Sequence, residues 1–266
     1  MSVMDNILEV RNLKVHFPIR KGVFARTVGH VKAVDDVTFS LRRGETLGVV
    51  GESGCGKSTT SRAILGLVKP CGGEILFNGR NMRDWNRLEY HRRVQVVFQD
   101  PMASLNPRHT VREILTEGMV FHGLCTKAEA RNCAAKLLGS VGLSDSFLDR
   151  FPHEFSGGQR QRICIARAIA LKPELLICDE AVSALDLTIR AQVLDLLAEL
   201  KKKLNLSLLF ITHDIGVVQH VADRILVMNR GRIVEQGTCS DVLGRPREEY
   251  TKRLIAAVPR MVRSRC

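Results

Sequence analysis

Gly51-Glu52-Ser53-Gly54-Cys55-Gly56-Lys57-Ser58 decides the fold. A short β-rich run, Leu47-Gly48-Val49-Val50, leads into it, and Thr59 to Val68 follows with Ile64, Leu65, Leu67 and Val68 at helical spacing. The order strand, glycine-rich turn, helix is the context in which G-x-x-x-x-G-K-[ST] cradles phosphate. Glycines let backbone N–H groups curl round phosphate oxygens, and the helix points its positive end at the same place. On this reading Gly51, Glu52, Ser53, Gly54, Cys55 and Gly56 form the cradle. Lys57 reaches the β- and γ-phosphates, Ser58 binds Mg²⁺ and Thr59 touches the α-phosphate of a nucleoside triphosphate.

Outward from the loop, further apolar runs lie at Val94 to Phe98, Leu175 to Cys178 and Leu208 to Ile211. Near-continuous apolar strands alternating with helical stretches predict an α/β fold with a parallel sheet covered on both faces. The run ending at Cys178 delivers Asp179 and Glu180 to the carboxyl edge, where such sheets bind ligands. Asp179 is the expected Mg²⁺ partner, and Glu180 the expected general base for an attacking water. Residues 101 to about 160 carry no strong strand signal. Thr126 and Glu129 have capping-box spacing, and an Ala-, Lys- and Leu-rich stretch runs to Leu138, which reads as a helical insertion. Residues 224–236 read as a hairpin around Asn229-Arg230-Gly231, and the chain from residue 240 onward as helical and basic.

Composition bounds these readings. The chain has 266 residues, 45% apolar and 26% charged, enough to bury a full core; disorder, collagen and coiled coil are excluded. The longest apolar run is five residues, Leu254 to Val258, where a membrane-spanning helix needs about 20. The opening MSVMDNILEV lacks a secretory signal, so the expected site is the cytosol, with a membrane surface open to it. Eight cysteines without a C-x-x-C pair read as reduced thiols and give no support for a zinc or iron–sulfur site. The net charge of +12 concentrates in residues 11–43, 80–93 and 245–266, which carry +6, +3 and +5. Such patches suit nucleic acid, anionic lipid, nucleotide phosphate or an acidic partner, or simply a solvated surface.

Phe155-Ser156-Gly157-Gly158-Gln159-Arg160-Gln161-Arg162 precedes a helical stretch, Ile163 to Leu171. Ser156 and Gln159 have capping-box spacing. The segment resembles the signature of ATP-binding cassette (ABC) ATPases, with Phe155 in place of the commoner Leu. Gln99 matches that family's Q-loop, Ser183-Ala184-Leu185-Asp186 its D-loop and His213 its switch histidine. The resemblance covers roughly residues 5–240 and implies a P-loop NTPase (RecA-like) mixed sheet core. An N-terminal antiparallel β subdomain and an α-helical subdomain inserted at about 101–160 complete it. The implied catalytic residues are Glu180, His213, Gln99 and Lys57, with Ser58, Gln99 and Asp179 on Mg²⁺. Ser156, Gly157, Gly158, Gln159 and Asp186 are implied to meet the ATP of a partner cassette in a head-to-tail dimer. For adenine stacking Phe17 is the first candidate, with Phe24 and His30 as alternatives, and residues 18–30 read as a long loop.

Phe98-Gln99-Asp100-Pro101, Ser104-Leu105-Asn106-Pro107-Arg108 and the C-terminal Tyr250-Thr251-Lys252-Arg253-Leu254 narrow the resemblance to the ATPases of dipeptide, oligopeptide and nickel importers. Residues 241–266 then form a short basic extension. The implied partners are a second ATPase subunit, two permease subunits and a periplasmic substrate-binding protein, at the cytoplasmic face of the inner membrane, with no nucleic acid. Peptide import leads and nickel import uses the same machinery. A non-transport ABC protein acting on DNA or ribosomes, and an ABC-like regulator without turnover, are the remaining readings. Against the last stand intact Lys57, Glu180 and His213. Cys55, beside Lys57 and a helix N-terminus, is expected to be alkylated by a maleimide with loss of hydrolysis, and ATP to protect.

Overall fold

Two long strands, β1 (Asn6–Lys21) and β2 (Arg26–Arg42), pair antiparallel at the start of the chain. Their period-2 alternation puts Val37, Phe39 and Leu41 inward and Asp36 and Thr38 outward. The structure, a computed structural model, describes residues 6–21 and 26–257. The stretch 18–30 is therefore not a loop throughout: Pro18 pairs with His30 and Ile19 with Gly29 within the strands. Phe24 and the tail 258–266 lie outside the described residues.

β3 (Thr46–Val50) runs through the phosphate loop into α1 (Lys57–Ile64), after which β4 (Gly72–Phe77) and β5 (Arg80–Asn81) complete a four-stranded sheet of order β2-β1-β4-β5. α1 stops earlier than its apolar pattern suggests. Gly66 takes a left-handed φ of 70°, the chain turns away, and Leu67 is left exposed rather than on a buried helix face.

α2 (Arg87–Arg93) precedes β6 (Val94–Val97), and the chain then becomes helical: α3 (Pro101–Ser104), α4 (Val111–Phe121), α5 (Ala130–Ser140) and α6 (Gly157–Ile169). No strand occurs between Phe98 and Glu174, all of them described residues. Thr126 and Glu129 exchange the expected bonds, Thr126 N–H to Glu129 at 2.9 Å and Glu129 N–H to Thr126 at 3.3 Å, although regular helix begins only at Ala130. β7 (Leu175–Asp179), α7 (Leu187–Leu204), β8 (Ser207–Thr212) and α8 (Ile215–Val221) follow, then the hairpin β9 (Arg224–Asn229) and β10 (Arg232–Thr238). α9 (Cys239–Gly244) and α10 (Glu249–Ala256) end the described chain.

The second sheet has order β10-β9-β3-β8-β7-β6; β10 runs antiparallel to β9 and every other pairing is parallel. Its two faces feed two large apolar clusters, one with Leu176, Cys178, Leu208 and Phe210 under the helical segment, the other with Leu175, Ile177, Leu209 and Ile211 towards the first sheet. Strands buried on both faces explain the continuous apolar runs.

Candidate active site

Strand register assembles the site. Val50 pairs with Thr212, Asp179 with Ile211 and Val97 with Cys178, so β3, β8, β7 and β6 end at one level. The residues just beyond those ends are Gly51, His213, Glu180 and Phe98-Gln99, four chemistry-bearing segments side by side at the carboxyl edge.

The phosphate loop is shaped from outside as well as from within. Gly56 has φ of 110°, and a Cβ there would stand 2.3 Å from the Ala33 carbonyl oxygen, so only glycine fits. The tip of the β9–β10 hairpin presses on the same place: the Gly231 N–H donates to the Cys55 carbonyl at 2.9 Å, and the Asp35 N–H to the Gly231 carbonyl at 2.8 Å. The Lys57 side chain is buried and turns back along the loop, with Nζ donating to the Gly51 and Glu52 carbonyls at 2.6 and 2.9 Å. Thr59 is half-buried in the first turn of α1.

Asp179 is buried, and both its carboxylate oxygens accept hydroxyls of α1: Ser58 at 3.0 Å and Ser61 at 2.7 Å. Ser61 was not among the residues singled out from sequence; its only signal was a second hydroxyl three residues beyond Ser58, on the same helix face. A buried carboxylate satisfied by hydroxyls rather than by a basic side chain suits a hard divalent cation, which prefers oxygen ligands. Gln99 lines the same cleft as Ser58 and Asp179.

Glu180 adopts a left-handed φ of 53°, unusual for a residue with a long side chain, and its N–H donates to the Ile211 carbonyl at 2.9 Å. Strain of this kind gathers at functional positions. It aims the carboxylate at His213, whose Nδ1 lies 3.1 Å from Glu180 Oε2. Asp214 caps α8, and Arg190 donates to it at 2.8 Å while also donating to the Leu185 carbonyl at 3.1 Å. Arg190 thus ties Ser183–Asp186 to the residue after His213, a link invisible in sequence because it depends on α7 and α8 packing together.

Ser156 caps α6 in a reciprocal capping box with Gln159. Gly158 is buried there, and a Cβ on it would stand 2.5 Å from Ile189 Cγ2; Ser156 and Gly157 are exposed. The cleft beside Gly157 is lined by Gln99–Met102 and residues around Ala184-Leu185, with no residue of Gly51–Ser58. Asp186 caps α7, accepting the Ile189 N–H at 3.0 Å, and is exposed. Phe17 is also exposed, paired with Val31 two residues before the Ala33 that touches Gly56, while His30 lies one pair further along.

Comparison with known proteins matches residues 34–183 to the family model described as ABC transporter. The chain belongs to the ABC transporter ATPase family. As a member of that family it binds nucleotide and hydrolyses ATP. It is 51% identical over 259 residues to the oligopeptide transport ATP-binding protein AppF of Bacillus subtilis, covering 96% of this chain and 79% of that one. The dipeptide transport ATP-binding protein DppF of Escherichia coli is 46% identical over 263 residues, 98% of this chain and 78% of that one. Among solved structures, a dimeric ATP-binding cassette in a post-hydrolysis state with ADP and phosphate superposes with a TM-score of 0.75 at 26% identity, over 87% of this chain and 98% of that one. The α/β architecture of an ABC ATPase, with its antiparallel and mixed sheets, is as the sequence resemblance implied.

Cys55 is buried, 5% exposed, with Sγ 3.7 Å from Lys57 Nζ. A maleimide on that sulfur displaces the lysine, so alkylation is expected to abolish hydrolysis and bound ATP to slow alkylation. The exposed Cys71 serves as the internal standard for reagent access. Mass spectrometry of the labelled protein checks the site, and full ATPase activity with Cys55 modified would refute the expectation.

Proposed function

We propose that the chain is the ATP-hydrolysing subunit of a peptide importer, and that the observation carrying this is the carboxyl edge where Ser58–Asp179 and Glu180–His213 stand in adjacent hydrogen-bonded pairs. The ATPase unit spans about residues 5–240, with 101–160 as its helical part and 241–266 as a basic extension. Gly51, Glu52, Ser53, Gly54, Cys55 and Gly56 wrap the phosphates, Lys57 binds the β- and γ-phosphates, and Thr59 the α-phosphate. Ser58, Gln99 and Asp179 hold Mg²⁺, which when bound neutralises charge on the transferring phosphoryl group. Phe17 stacks on adenine.

Glu180 accepts the proton of the attacking water. His213, held by Glu180, orients the γ-phosphate side of the pocket. The turn at Ser156–Gly158, remote from its own phosphate loop, offers an α-helix N-terminus as an anion site to a second cassette, together with Gln159 and Asp186. Each cassette of a head-to-tail pair then completes its neighbour's site, a pairing that the similar dimeric cassette supports; a second ATPase subunit, two permeases and a periplasmic substrate-binding protein are the proposed partners. The names of the relatives favour peptides over nickel and give the nucleic-acid reading no support.

No helix among the described residues is long and apolar enough to cross a membrane. On the importer reading, the permeases hold the chain at the membrane's cytoplasmic face. Phe121, 68% exposed, stands over a groove lined by Gln95, Val96, Ile114, Gly118 and Arg167. Arg167 also lines the cleft that holds Ser58 and Asp179, so a permease helix seated against Phe121 touches the same arginine as the metal site. Purification from membranes is expected to recover two multi-span permeases and a second cassette. Phe121→Asp is expected to lose at least half of that recovery and of peptide uptake into vesicles, with nucleotide binding retained. Recovery with ribosomes or DNA in place of permeases would overturn the transport reading.

A further inference from the structure

Glu52 is held from two sides. Inside the phosphate loop its carbonyl accepts from Lys57 Nζ at 2.9 Å; from outside, its N–H donates to the Tyr250 hydroxyl at 3.1 Å. Tyr250 belongs to α10, 198 residues further along the chain. The hydroxyl is not on a loose tail. Tyr250 and Leu254 pack against a cluster of Val50, Val218, Ile225, Val227 and Val242, and Val50 is the last residue of β3, two before Glu52. The other anchor is Glu235 on β10, whose carboxylate accepts the Arg247 and Glu248 N–H groups at 2.9 and 3.2 Å, just ahead of the first turn of α10.

We propose that Tyr250 is a positioning residue for nucleotide binding: α10 fixes the hydroxyl, the hydroxyl fixes the Glu52 peptide, and the Glu52 carbonyl fixes the Lys57 ammonium. The Glu52 N–H is consequently spoken for. It shapes the cradle instead of donating to phosphate, and the phosphate donors begin beyond it. A loop whose peptide planes are set before the ligand arrives loses less freedom on binding, so the gain shows as affinity rather than as rate. The C-terminal extension, on this account, is part of the nucleotide site and not an appendage to it.

The proposal rests on ATP occupying the phosphate loop, and the test separates the two. Tyr250→Phe removes the hydroxyl and keeps the ring in its apolar cluster. Glu52 is exposed, so water can replace the lost partner and the effect is bounded. Trinitrophenyl-ATP binding to the full-length chain is expected to weaken about five-fold, the equivalent of one hydrogen bond. In the assembled transporter KM for ATP should rise by a similar factor while kcat stays within about two-fold. Leu254→Ala, which loosens the packing of α10, should lower the melting temperature as well as raise KM; Tyr250→Phe should raise KM with melting unchanged. A wild-type chain that fails to bind the probe removes the nucleotide reading, and this proposal with it. A wild type that binds, beside a Tyr250→Phe variant with the same affinity and KM, overturns the role of Tyr250 alone.

Discussion

Glu180→Gln is expected to lower ATP turnover at least about a hundredfold, the range associated with loss of a general base, while leaving ATP binding intact. Glutamine has nearly the shape of glutamate, so the packing around the end of β7 survives and the amide can still meet His213 Nδ1, now 3.1 Å from the carboxylate. What disappears is the proposed proton acceptor. The backbone at this position is already set by its left-handed φ of 53° and the bond to the Ile211 carbonyl, neither of which involves the side chain. Binding groups on α1 and the phosphate loop are untouched. The variant should therefore accumulate in an ATP-bound pair with its partner cassette, visible as a nucleotide-dependent shift on size-exclusion chromatography. Phosphate release measured on the assembled complex gives the rate, and a wild-type rate in this variant would remove Glu180 from the role of base.

The residues legible in sequence are those whose chemistry demands a fixed local spacing. Gly51 to Ser58 announces itself because a phosphate cradle needs glycines, a lysine and a hydroxyl in one order on one turn. Asp179 and Glu180 were legible because a continuous apolar run ends on two acids, and the parallel strands that gather them followed from alternating strand and helix; that the sheet is mixed was implied by the family resemblance. The strand ends and the hairpin at Asn229-Arg230-Gly231 also lie where patterning places them. What sequence did not show are partners fixed by packing between distant elements. Ser61 completes the hold on Asp179, yet a serine inside a helix is ordinary. Arg190 and Tyr250 act through a carbonyl and an amide, groups that every residue carries and no motif records. The 18–30 segment misled because Pro18, Gly22 and Gly29 read as loop formers, whereas a proline is tolerated in an edge stretch, and past Lys14 β1 is paired with β2 alone. The helix after the phosphate loop misled for the opposite reason: Leu67 and Val68 kept the apolar period beyond a glycine that ended the helix.

A loss of the same order as at Glu180 is expected at Gly157, on the turn that caps α6. A Cβ there meets nothing closer than Leu185 Cδ2 at 4.0 Å, so a side chain fits, in contrast to Gly158 against Ile189. An aspartate at the first position of α6 is also favourable to the helix, whose N-terminus attracts negative charge. Gly157→Asp should therefore fold as well as the wild type or slightly better. The same carboxylate would occupy the anion site proposed for a neighbour's γ-phosphate, replacing attraction by repulsion. Loss of a positioned anion donor in a transition state costs about 10²–10³ in rate, and an added like charge should cost no less. No residue of Gly51–Ser58 lines the cleft beside Gly157, so the substitution leaves the chain's own phosphate loop intact. The decisive measurement is ATP turnover by the assembled transporter carrying this substitution in both cassettes, alongside ATP binding and melting of the single chain. We expect turnover to fall at least about a hundredfold with binding and melting preserved; turnover at the wild-type rate would contradict a site completed by the neighbouring cassette.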